Sequence, residues 1–230
     1  MPPGQTQQAL RQAFRTWGRP QQLRVDNGPP WGSHGDLPTD LVLWLAGLDV
    51  AVWANPPRRP QDNGVVERSQ GTGQRWGEPG SAGSVAELQA AMDRMDAIQR
   101  ERYPYRHEAS RLAVYPGLRH SGRPYTAAWE RAGWQLGRAH ELLAQFVVAR
   151  QVSGSGTVSV YHRSYYVGRA YAGQAAYVAF DPQQQCWLFY DSANRLVNQH
   201  AAAEVDAQHI RTLQVTDRRE RISPAGGGTT

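Results

Sequence analysis

The sequence predicts a mixed architecture, α/β in its first part and β in its last. Three observations carry this. Before residue 103, apolar residues recur at helical spacing, with two short strand-like runs set among them. Ser153-Gly154-Ser155-Gly156 then punctuates the chain. Beyond it, five short alternating runs parted by turn residues occupy about 50 residues, the pattern of a small barrel.

Taken in order, residues 5–17 predict a helix, because Leu10, Ala13, Phe14 and Trp17 share a face, and Gly18-Arg19-Pro20 stops it. Leu23-Arg24-Val25 predicts a strand that runs into the turn Asp26-Asn27-Gly28-Pro29-Pro30. Residues 36–48 predict a second helix with Leu37, Leu41, Leu45 and Leu48 on its apolar side, and Val50 to Trp53 a second strand. Pro56-Pro57-Arg58-Arg59-Pro60 is a loop, since proline removes donors and biases its neighbour away from helix. A helix follows from Asp62 or Asn63 to Trp76. Ser84 and Glu87 form a capping-box pattern that opens a helix to about Tyr103.

Residues 104–135 predict an irregular connector, and Leu136 to Val152 reads as helical, which makes 104–152 a connector with a linking helix. The strand candidates are then 158–161, 165–167, 176–180, 187–190 and 195–198. The expected organisation is 1–103, 104–152, a barrel at 153–215, and a disordered tail at 216–230.

Composition describes a globular chain of 230 residues, 40% of them hydrophobic. No apolar run reaches the roughly 18 residues of a membrane span, and the first residues lack a secretory pattern; the expected location is cytoplasmic, at the nucleoid. The lone Cys186 excludes an internal disulfide and a cysteine-built zinc site, and reads as a small buried hydrophobe. Net charge is +5, and all 25 basic residues are Arg, a balance that suits a polyanion partner.

Two acidic motifs stand out. Asp26 sits where a strand ends and a turn begins, and Glu67 sits about one turn into a helix opened by the Pro-rich loop. The stretch between them holds a helix and a strand, which can lay the two carboxylates side by side. Phosphodiester transfer by two divalent metals about 4 Å apart requires such hard oxygen ligands.

Val25-Asp26-Asn27-Gly28-Pro29-Pro30-Trp31-Gly32-Ser33 and Pro57-Arg58-Arg59-Pro60-Gln61-Asp62-Asn63-Gly64-Val65-Val66-Glu67-Arg68-Ser69 resemble the integrase core of bacterial insertion-sequence transposases. That DDE family belongs to the retroviral integrase superfamily. The resemblance implies a ribonuclease H-like core, here its C-terminal half, followed by helices and a small SH3-like β-barrel. It implies that Asp26 and Glu67 are catalytic and bind Mg2+ or Mn2+, and that 57–64 is the loop beside the active site. It also implies DNA as partner, with a homo-oligomer or a full-length transposase as a protein partner.

The family's first catalytic Asp lies on a strand well before the second, and residues 1–25 contain no Asp or Glu. The expectation is therefore an N-terminally truncated transposase for DNA integration whose chain alone does not catalyse. The alternatives are a non-catalytic DNA-binding or regulatory fragment, and a decayed reading frame. A two-strand remnant also predicts an exposed strand edge that another element or chain covers.

Arg58, Arg59, Asn63 and Arg68 are candidate DNA contacts beside the acidic pair. Arg163 and Arg169, with Tyr161, Tyr165, Tyr166 and Tyr171, are candidates for a basic-aromatic DNA surface; strand packing explains the tyrosines equally well. His34 lies near Asp26, and the other histidines lack metal-ligand spacing.

Overall fold

The computed structural model describes residues 2–32, 36–55, 64–76, 79–107 and 109–213; the side chains of 64–67, 69, 70 and 79 are outside it. The helices are α1 (Pro3–Trp17), α2 (Asp40–Gly47), α3 (Gly64–Trp76), α4 (Val85–Glu101), α5 (Arg111–Val114), α6 (Ala127–Gly133), α7 (Leu136–Leu143) and α8 (Ala207–Arg211). The strands are β1 (Gln22–Val25), β2 (Ala51–Ala54), β3 (Pro104–Arg106), β4 (Ala109–Ser110), β5 (Val147–Gln151), β6 (Thr157–Val160), β7 (Arg163–Tyr166), β8 (Ala175–Asp181), β9 (Cys186–Tyr190) and β10 (Leu196–Ala201). The class is thus mixed helix and sheet. The chain divides into two compact units, one of 1–11, 27–52 and 133–230, the other of 12–26 and 53–132.

In the first unit α2 is apolar on nearly every side, and Leu41, Leu43, Trp44, Leu45 and Leu48 are fully buried. Helix α7 packs on it, and Trp134, just before α7, donates its Nε1–H to the Trp44 carbonyl at 3.0 Å. The approach is close enough to require glycine at 47, where a Cβ would lie 2.2 Å from the Trp134 indole. The same core receives Ile210 of α8, and the Gln7 side chain donates to the Arg211 carbonyl at 3.3 Å.

Strands β10-β9-β8-β5 form an antiparallel sheet in that order, and β6-β7 form a separate hairpin. Alternation puts Val148, Val178, Phe180, Trp187 and Phe189 on the buried face. Cys186 is buried on β9, and burial pushes its thiol pKa up, as expected for a packed rather than reactive cysteine.

Two expectations need correction here. The run from Leu136 is helical only to Leu143; Val147–Gln151 is a strand whose Val148 pairs with Val178. Nor do the strands close into a barrel among the described residues. The hairpin meets β10 through side chains, with Asn198 and His200 each bonded to the Tyr166 carbonyl at 3.0 and 2.7 Å, rather than through a strand ladder.

In the second unit Gly18 ends α1 with a positive φ of 75°. The segment after α5 runs along this end: Ser121 N–H donates to the Trp17 carbonyl, and Arg19 N–H to the Arg123 carbonyl at 2.7 Å. Arg19 is buried with its guanidinium 3.6 Å from the Trp129 ring centroid, and Phe14 meets Tyr125 edge-on. The predicted cap of α4 forms: Ser84 Oγ accepts from Glu87 N–H, and the Glu87 carboxylate accepts from Gly83 N–H at 2.8 Å. The 104–135 connector is more ordered than predicted. It contains β3, β4 and α5, whose N-terminus Ser110 caps through Ala113 N–H, and then α6. The tail expected at 216–230 lies outside the described residues.

Candidate functional site

Asp26 follows β1 directly and is exposed. Strands β1 and β2 pair in a two-stranded sheet. Their ends are fastened by the buried Asn55, whose N–H donates to the Val25 carbonyl at 2.8 Å while its Oδ1 accepts from Arg24 Nε. Asn55 thereby fixes where Asp26 leaves the strand, and sequence reasoning missed it. Its only signal is an amide at the edge of a proline-rich loop. The turn after Asp26 closes on itself, with Gly28 and Gly32 exchanging N–H to carbonyl bonds at 2.8 and 3.1 Å. Gly28 has φ 137°, a backbone region that glycine serves.

Glu67 lies on the first turn of α3, and its side chain is outside the described residues. Arg58, Arg59, Asn63 and His34 are outside them too. Arg68 is exposed on α3, and the helix packs on α4 where Gly73 approaches Met92 and Met95. A divalent cation of magnesium type needs several oxygen donors. Among the described residues no three His, Cys, Asp or Glu groups gather into such a set. The described part therefore offers Asp26 as one hard donor and does not make a complete ligand set.

The basic-aromatic surface divides. Arg163, Tyr166 and Arg169 are exposed. Tyr165 is instead core: its hydroxyl donates to the buried Glu204 carboxylate at 2.5 and 2.6 Å, beside Trp187 Nε1 at 2.7 Å. Burial and this hydrogen bond to a carboxylate push the Tyr165 phenol pKa up from its ordinary value. Tyr161 donates to the Pro38 carbonyl, and burial, with Asp40, Asp36 and Glu204 nearby, raises its pKa as well.

Sequence reasoning passed over these three carboxylates. Burial raises the Asp40 pKa against the opposing pull of His209, whose Nε2 is 3.4 Å away. Asp36 moves down, because the hydrogen bonds from Arg150 and Leu37 N–H outweigh its own desolvation. The arrangement is a packing network around Tyr161 and Tyr165. Tyrosine, tryptophan, arginine and histidine partners engage most of its polar groups, while Asp40 Oδ1 is buried without a hydrogen-bond partner among the described residues.

No family model matches the sequence. A solved structure similar to this chain is a simian T-cell lymphotropic virus intasome in complex with the PP2A regulatory subunit B56 gamma. The identity is 20% and the TM-score 0.40, over 55% of this chain and 43% of that one. The chain thus spans less than half the length of that neighbour, and a likeness this small assigns neither fold nor activity. Two paired strands occur in many mixed folds; they define the α/β class and not a ribonuclease H-like core. No helix among the described residues is long and apolar enough to cross a membrane.

Proposed function

We propose that the chain is a DDE-type transposase or integrase relative, carrying part of a ribonuclease H-like core and a β-rich domain derived from an SH3-like barrel. One observation carries the reading: the two acidic motifs occur in family order, with Asp26 at the end of β1 and Glu67 on the first turn of α3. Asp26 and Glu67 would hold a magnesium or manganese ion, which when bound activates a nucleophilic oxygen and stabilises a leaving one. The chain's own part is to present the carboxylates from a strand end clamped by Asn55 and from a helix start. Strand transfer of this type takes three such carboxylates, and Asp26 and Glu67 would be two of them. It acts at cytoplasmic DNA, through a homo-oligomer or a complete transposase.

Calorimetric titration of Mn2+ into wild type, Asp26→Ala and Glu67→Ala tests the site. The expected result is loss of about tenfold or more in affinity in each variant. Equal binding by all three removes the metal site.

A second reading has its own observation. Arg163, Tyr166 and Arg169 are exposed together on β7 and the turn after it, which suits a non-catalytic fragment that binds DNA through its β-rich part.

A further inference from the structure

The unit of 12–26 and 53–132 contains a cleft of about 810 Å³, within the size range of small-ligand sites. Its walls come from the end of α1, from α3 and α4, and from the segment after α4. Three guanidinium groups line it, Arg68, Arg100 and Arg111, against one carboxylate, Asp96; Trp17 and Tyr105 supply aromatic surface.

Two of the guanidinium groups are held in place before any ligand arrives. Arg100 lies 4.4 Å from the Trp17 ring centroid with a terminal nitrogen 2.9 Å from Glu101. Arg111 lies 5.3 Å from the Tyr105 centroid and donates to the Gln99 carbonyl at 3.0 Å. Arg68 is exposed, one helical turn before Thr72, which also lines the cleft.

This set of groups is selective. Cations exceed carboxylates in the cleft, so it favours an anion. Guanidinium forks match phosphate oxygens in pairs. A guanidinium stacked on an aromatic ring turns a second flat face outward, and nucleobases stack on such faces. A simple inorganic anion would use the charge and leave most of the volume and aromatic surface empty.

We propose that this cleft binds a nucleotide, either free or at the end of a single strand. Arg68 and Arg111 take the phosphate, and the Arg100–Trp17 stack with Tyr105 takes the base. The site uses neither Asp26 nor Glu67 and needs no metal.

The test is calorimetry on the full chain in EDTA, so that it stands or fails apart from the metal site. The probes are deoxyadenosine monophosphate, deoxyadenosine, inorganic phosphate and a 5′-phosphorylated single-stranded tetranucleotide. The monophosphate should bind, with the nucleoside and phosphate each weaker by about tenfold or more. Trp17→Leu, which removes the ring that holds the Arg100 guanidinium in place for the base, should weaken it by about tenfold. Arg68→Gln, at an exposed position where folding is not at stake, should weaken it by about fivefold or more. Arg94→Gln on α4, outside the cleft, should leave binding unchanged and serves as control. A tetranucleotide that binds more tightly than the monophosphate assigns the site to strand ends; equal binding assigns it to free nucleotides. Failure of both to bind overturns the proposal. So does binding of phosphate as tight as the monophosphate, or wild-type binding by both Arg68→Gln and Trp17→Leu.

Discussion

Glu204 Oε1 accepts from Trp187 Nε1, the Tyr165 hydroxyl lies within hydrogen-bond distance of both carboxylate oxygens, and Oε2 is 3.9 Å from Arg163. A buried carboxylate is tolerated only when its oxygens are bonded in this way. Replacing it with alanine strands two donors in the core. Glu204→Ala should therefore lose about 3 kcal/mol of stability, read from the urea midpoint at constant slope, and Glu204→Gln about half as much because an acceptor remains. None of this was legible in the sequence. Glu204 follows three alanines and precedes Val205, a context that resembles an ordinary exposed helix. Its partners lie on β7 and β9, so only the tertiary structure brings them to it. Asp26 shows the opposite case. Its role at a strand end followed by a tight turn depends on neighbours in sequence, and Asp-Asn-Gly announces it directly.

Elements formed where local signals agreed. Helix α4 starts at its predicted cap and α1 stops at its predicted glycine. The failure at 147–151 has a physical cause. Gln145-Phe146-Val147-Val148 follows α7 with no Gly or Pro to mark a break, and the strand is decided by pairing with β8. The six-stranded β part likewise looked like a barrel because local alternation reports strands and not how they close. Helix α2 is held by a contact with a sharper requirement. Adding a Cβ at Gly47 meets the Trp134 indole at 2.2 Å, and Trp134 is itself tied to the Trp44 carbonyl. Neither partner can retreat without giving up a buried hydrogen bond. Gly47→Ala should thus cost about 2 kcal/mol or more despite alanine's better helix propensity. Thermal melts of Gly47→Ala and of Gly47→Ala with Trp134→Phe check it: the double variant should recover part of the loss, which a purely helical effect would not allow.

At the scale of the whole molecule, a net charge of +5 made entirely from arginine gives a long-range attraction for polyanions, but such a field alone carries no sequence or site. Exposure narrows it. Arg163 and Arg169 are exposed beside Tyr166, as Arg94, Arg106 and Arg119 are exposed elsewhere, whereas Arg19 is buried against Trp129 and Arg150 is engaged with Asp36; what singles out the first pair is its place on the β-rich part with a tyrosine beside it. A DNA complex formed through the β-rich part should release counterions in proportion to the phosphates contacted, so log affinity falls linearly with log salt. Arg163→Ala with Arg169→Ala should then reduce the steepness of that line by about 2 and weaken binding to unrelated sequences alike. Fluorescence anisotropy with a labelled duplex across a salt series, run in EDTA and again with Mg2+, measures both quantities. A slope unchanged in the double variant places the phosphate contacts elsewhere, and binding that needs a divalent metal would instead tie DNA to Asp26 and Glu67. The two proposed modes are thereby separated by one titration, because counterion release depends on the arginines and metal bridging depends on the carboxylates.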